Sequence, residues 1–207
     1  MKELLRNFPR NFWISAAMSL FALILFAAFP SAHRGLALTA MLLSSFGDLA
    51  LMNFRGFFSR AFRNAFVTGG ILFMIAHLFY AAAFTVLLYG QGSRASLPGI
   101  GAALALGAIL YVSLIIMARH RGCLRRKKAL LLLLYAAFEF ADCTAVFTAC
   151  FALGIDRPQY LAGAVGIVLF IASDYFIGMD EVAGDRSLTK YIWLFYTSGQ
   201  ILMLLAA

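Results

Sequence analysis

Residues 65–89 read AFVTGGILFMIAHLFYAAAFTVLLY, a run that holds no lysine, arginine or carboxylate. It exceeds the roughly 18 to 20 apolar residues that carry an α-helix across a bilayer. The chain on either side repeats the pattern. Apolar runs separated by charged or Gly/Pro punctuation fall at 12–29, 36–53, 65–89, 99–118, 128–153, 158–179 and 188–206, which predicts seven helices. An eighth would have to be concealed in a long run such as 128–153. Over 207 residues, 63% are hydrophobic against 13% charged, too little polar surface to coat a water-facing globule. The expected fold class is all-α, a polytopic transmembrane helix bundle in which residues 1–207 form a single transmembrane domain.

The formal net charge of +8 does not call for nucleic acid, because topology accounts for it. Fourteen of the 17 cations lie on alternate loops or helix ends: Lys2, Arg6 and Arg10; Arg55, Arg60 and Arg63; Arg119, Arg121, Arg125, Arg126, Lys127 and Lys128; Arg186 and Lys190. The intervening loops hold Arg34, Arg94 and Arg157. Cytoplasmic loops retain such an excess, so the N-terminus is expected in the cytoplasm and the protein in the cell (inner) membrane, with the bilayer as its partner. The first helix can also be read as a leader, with Pro30-Ser31-Ala32 before His33 as a cleavage site; an uncleaved helix is the preferred reading. Cys123 would face the cytoplasm, and Cys143 and Cys150 share a helix face as small packing residues, so a disulfide framework is not expected.

Four of the nine acidic residues, Asp48, Glu139, Asp142 and Asp174, fall inside the predicted spans, together with His77. A carboxylate at bilayer depth costs about 2.5 to 3.5 kcal/mol, so four cost about 10 kcal/mol unless they share protons, partners or water. No lysine or arginine lies in the interior of the spans to pair with them, Lys128 and Lys190 standing at the ends of theirs. At 1.5 Å per residue, Asp48 and Asp174 each sit roughly 8 Å beneath the cytoplasmic boundary and could face one another. His77, Glu139 and Asp142 lie deeper, and Glu139 and Asp142, three apart, share a face. A polar cleft opening toward the cytoplasmic leaflet is expected. Glu139 and Asp142 read equally well as hydrogen-bond struts between helices.

Several membrane chemistries lack their residues. A retinal Schiff base needs a lysine within a span, a seven-helix zinc hydrolase needs several buried histidines, and the motifs G-x-S-x-G and H-E-x-x-H are missing. What is present is a stripe on the third helix, Phe66-x-x-Gly69-x-x-x-Phe73-x-x-Ala76-His77-x-x-Tyr80-x-x-x-Phe84, whose spacings keep all but Ala76 on one face. It follows Ser45-Phe46-Gly47-Asp48-Leu49-Ala50-Leu51-Met52 and precedes Gly166-x-x-x-Phe170-x-x-Ser173-Asp174 and Tyr196-x-x-x-Gln200. In that order these segments resemble the YhhN-type lysoplasmalogenase family, from the second helix to the chain end.

The resemblance implies an enzyme that hydrolyses the sn-1 vinyl-ether bond of a lysophospholipid substrate, a lysoplasmalogen, to a fatty aldehyde and glycerophospho-ethanolamine or -choline, with no cofactor and no metal. It implies acid/base work for paired aspartates, here Asp48 and Asp174 as the catalytic residues. Protonating the β carbon of a vinyl ether gives an oxocarbenium ion that water captures, so one acid and one base suffice. His77, Tyr80, Ser173, Tyr196 and Gln200, with Glu139 and Asp142, form the expected substrate-binding set; Arg55, Arg60 and Lys190 would sit near the phosphate. The alternative is a proton-coupled small-molecule or lipid transporter using the same carboxyls, with helices one to three and five to seven as a parallel repeat. A noncatalytic lipid-binding protein would keep the cleft without needing both acids.

Overall fold

Pro30 cannot continue a helix without losing a backbone hydrogen bond, and the first helix stops just before it. In the computed structural model, which describes residues 10–52, 64–120, 126–183 and 186–207, that helix is α1, Arg10–Ala28. It is followed by α2 (Ala32–Met52), α3 (Ala65–Gly90), α4 (Leu97–His120), α5 (Arg126–Leu153), α6 (Pro158–Ala183) and α7 (Ile192–Ala206). Local chemistry sets several other ends. Asn64 caps α3, its Oδ1 accepting from the N–H groups of Phe66 and Val67 at 3.0 and 3.2 Å. Gly154, at φ +109°, takes the left-handed turn that lets the chain leave α5, and Pro158 opens α6 with the φ a first helical residue needs.

The fold is all-α, and the run 128–153 belongs to one uninterrupted helix, so it conceals no eighth. Among the described residues, five helices are long and apolar enough to cross a membrane: α1, α2, α3, α5 and α6. In α4 the apolar stretch Leu97–Ser113 is shorter, and α7 has 15 residues after a 3-10 turn, Thr189–Tyr191, takes up the start of the predicted run. The protein is a membrane protein.

Two helices reach a full turn beyond their apolar runs. α2 starts at Ala32, so Arg34 lies in its first turn. There the guanidinium reaches the end of the bundle, donating to the carbonyls of Ala207 (3.3 Å) and Phe29 (3.4 Å) and lying 4.9 Å over the Phe29 ring. A long cationic side chain at a helix end places its charge at the interface in this way. α6 runs on to Ala183, which puts Asp180 in its last turn, paired at 3.1 Å with the exposed Arg186.

Helices in a membrane associate through close van der Waals fit, and small residues permit it. α2 with α3 and α6 with α7 are the most extensively packed pairs. A Cβ on Gly69 would stand 2.7 Å from Leu51 and 3.1 Å from the carbonyl oxygen of Gly47. On Gly199 it would meet the Phe170 nitrogen at 2.7 Å and the Gly166 oxygen at 2.8 Å. Between these pairs Tyr80, Phe84, Phe170, Met41, Ile167 and Met203 are fully buried, whereas Leu20, Ile24, Ile109 and Ile116 face outward.

Candidate functional site

Asp48, His77, Asp142 and Gln200, buried polar side chains of α2, α3, α5 and α7, are each held by partners on other helices. Asp48, one turn before the end of α2, accepts at Oδ2 from Ser15 of α1 (2.5 Å) and from the Tyr196 hydroxyl of α7 (2.9 Å). Its neighbour Ser45 ties the same helices through Ser19 (2.7 Å) and the Ser15 carbonyl (3.1 Å). The first helix, also readable as a leader, thus supplies a ligand to the aspartate.

The second aspartate belongs to a chain of three helices. Asp174 of α6 accepts from the Tyr135 hydroxyl of α5 at 2.9 Å, and its Oδ2 lies 3.5 Å from His77 Nε2 of α3. Tyr135 is also 3.4 Å from that nitrogen. The other ring nitrogen, His77 Nδ1, is 2.9 Å from Asp142 Oδ2, and the imidazole stacks on Phe170 with centroids 5.0 Å apart. A carboxylate on one nitrogen and a ring on one face fix the imidazole, so Nε2 is presented to Asp174 and Tyr135. Asp142 is therefore a strut from α5 to α3.

Asp48 and Asp174 line the same cavity, of about 420 Å³, together with Asn11, Phe73, Asp180, Trp193 and Tyr196 among others. Its remaining walls include Met52, Ala65, Phe66 and Ile192, residues from the end of α2 and the starts of α3 and α7. The mouth thus lies at the end of the bundle that carries the basic loops in the sequence. A second cavity, of about 430 Å³ between α4, α5 and α6, also reaches Asp174 and includes Tyr135 and Glu139.

The rest of the expected substrate-binding set divides. Tyr196 lines the first cavity and Glu139 the second. Tyr80, Gln200, His77, Asp142 and Ser173 line neither of these two cavities. The Tyr80 hydroxyl donates to Gln200 Oε1, while Gln200 Nε2 is 3.4 Å from Ser44, a cross-brace between α3, α7 and α2. Ser173 spends its hydroxyl on the Phe170 carbonyl at 2.7 Å. Lys190 is exposed, with Nζ 4.8 Å over the Tyr191 ring; Arg55, Arg60 and Cys123 lie outside the described residues. Cys143 and Cys150 are buried and free. Among the described residues, no group of three or more His, Cys, Asp or Glu is arranged to hold a metal ion.

Two partners escape a reading of the sequence. Tyr135 precedes Glu139 by four residues and Asp142 by seven, so the helical stripe that joins those acids could have found it. Ser15 shares a helix face with Ser19, four residues on, but two hydroxyls in an apolar run carry no such signal.

The family model for the YhhN family matches residues 11–207. The chain belongs to the YhhN family. The match spans nearly the whole chain, so the seven helices of the described residues, but for Arg10 at the start of α1, and with them Ser15, Tyr135 and the two aspartates, lie within the YhhN region. No curated protein and no solved structure matches the chain.

Proposed function

We propose that this YhhN protein is a lysoplasmalogenase, hydrolysing the sn-1 vinyl-ether bond of a lysophospholipid. The observation that carries the reading is that Asp48 and Asp174, from helices far apart in sequence, share the wall of one cavity. One of the two is the acid: it delivers a proton to the β carbon of the vinyl ether, and the α carbon with its oxygen becomes an oxocarbenium ion. The other, as a carboxylate, steadies the cation and takes a proton from the attacking water. The hemiacetal then collapses to the aldehyde and the sn-1 hydroxyl of the glycerol. One water is consumed, and the proton taken up by one aspartate balances the one given by the other. Ser15 and Tyr196 at Asp48, and His77 and Tyr135 at Asp174, are the groups through which the starting protonation is restored.

The headgroup faces the mouth of the cavity, beside Asp180 and Trp193, and the excess of cations on the loops at that end supports a mouth in the cytoplasmic leaflet of the cell membrane. The test is aldehyde release from an alkenyl lysophospholipid by the purified protein, with Asp48→Asn and Asp174→Asn as variants that keep shape. Positioned acid/base groups contribute about 10² to 10⁴ in rate, so each variant is expected to lose at least about a hundredfold. Normal turnover by both variants would remove the assignment. An inert wild type whose proteoliposomes show pH-dependent flux would make the protein a transporter.

A further inference from the structure

α4 packs along α5 but touches α6 much less, and the seam widens into the cleft of about 430 Å³. That volume lies within the range of small-molecule sites. The walls come from Leu104, Leu110, Phe140 and Ile171, with small residues such as Gly107 and Ala108 between them. A Cβ on Gly107 would stand 2.7 Å from the Phe140 ring, so α4 approaches α5 here only because that position is bare. Leu104 is 53% exposed, and Ile109 and Val112 of the same helix also face outward, so the cleft opens sideways onto the surface that meets lipid.

Its polar groups, Tyr111, Tyr135, Glu139, Asp174 and Tyr175, occupy the part nearer the mouth end of the bundle, Glu139 being the deepest, one turn beyond Tyr135, and Glu139 Oε1 is buried with no hydrogen-bond partner among the described residues. From Tyr135 to Cys143 the cleft follows α5 for about 12 Å, away from that mouth and along the helix axes. A lipid in a leaflet has the same polarity and direction, with its headgroup at the interface and its chain running inward.

We propose that the cleft between α4, α5 and α6 is the binding site for the aliphatic chain of a lysolipid, entered sideways from the bilayer, with Asp174 where chain and headgroup cavities meet. The assignment of the headgroup cavity rests on the hydrolase reading; the chain site itself does not require turnover. In the hydrolase, the vinyl-ether carbons would lie at the junction, against Asp174, with Glu139 beside the first carbons of the chain.

The probe is a lysophosphocholine whose sn-1 chain is a saturated ether, which cannot be hydrolysed by this route, carrying a diazirine near the chain end. The full-length protein in nanodiscs is irradiated with it and the labelled peptides are mapped. Labelling is expected on the α4, α5 and α6 residues of the cleft. It should be displaced by unlabelled alkyl lysolipid and not by glycerophosphocholine. Ala108→Trp fills the cleft from an exposed position and should lower labelling about tenfold or more. Label that maps to α1, α3 and α7, or that spreads over all outward faces regardless of competitor, would overturn the proposal. So would Ala108→Trp labelled as well as wild type. Wild-type competition decides the matter even where the variant is poorly folded. Mapped labelling with no aldehyde released from the alkenyl lipid would leave the chain site standing and remove the hydrolase reading.

Discussion

Tyr135 is the side chain that joins the two ends of the polar chain, with its hydroxyl 2.9 Å from Asp174 and 3.4 Å from His77. Removing that oxygen leaves the ring in place and takes one of three polar neighbours from Asp174, His77 and Ser173 remaining. Tyr135→Phe is therefore expected to lower kcat for aldehyde release about ten- to hundredfold with little change in KM, the range seen when an outer hydrogen-bond partner is lost. Asp142 works one step further out, since it touches the imidazole and neither cavity. Asp142→Asn keeps a hydrogen-bonding group but changes which ring nitrogen carries the proton, and the same assay should show a loss of similar size. A variant with unchanged kcat at either position would mean that the histidine chain does not serve Asp174.

At the scale of helices, the site depends on how closely pairs approach. Gly166 and Gly199 let α6 and α7 touch backbone to backbone, and that contact sets where Tyr196, one turn earlier on α7, meets Asp48. Gly199→Val inserts a branched side chain where a single Cβ would already be 2.7 Å from the Phe170 nitrogen. Overpacking of this kind costs about 1 to 3 kcal/mol, so the midpoint of thermal unfolding in detergent should fall by several degrees, with activity falling too. Gly70→Ala, with nothing within 4 Å, should leave the midpoint unchanged or raise it by removing backbone freedom from a helix interior. A Gly199→Val protein as stable as wild type would refute the close contact. The helices themselves were legible because apolar runs and their breaks at Pro30, Asn64 and Gly154 are local properties of the chain. The shared depth of Asp48 and Asp174 was legible as well, because both lie near the same end of helices that run in the same direction. Which helices adjoin is not local. The placement of His77 between Asp142 and Asp174, and of Ser15 on Asp48, depends on side-chain fit across helices distant in sequence. The extension of α2 back to Arg34 was missed for another reason: a charge ended the run, although at a helix end its guanidinium can turn outward.

For the whole molecule, the question is which side of the membrane the Asp48 and Asp174 cavity opens to. Its mouth is built from the start of α1, the end of α2, the start of α3, the end of α6 and the start of α7, so every loop at that end is on one side. Fourteen of the 17 cations belong to that side in the sequence, and Arg34, Arg94 and Arg157 to the other. An excess of that kind is retained in the cytoplasm, and under the proposed function the inner leaflet would then be the source of the lipid and the cytoplasm the destination of its water-soluble product. The orientation can be read in a Cys123→Ser background, since Cys143 and Cys150 are buried. A cysteine at exposed Ala95, in the turn between α3 and α4, is expected to react with an impermeant maleimide on intact cells. One at exposed Ser187, beside the cavity mouth, should react only once the membrane is opened. The reverse pattern would put the mouth on the outer face, and the headgroup would then have to come from the outer leaflet, with the cations on the wrong side of the bilayer for every other protein obeying the same rule.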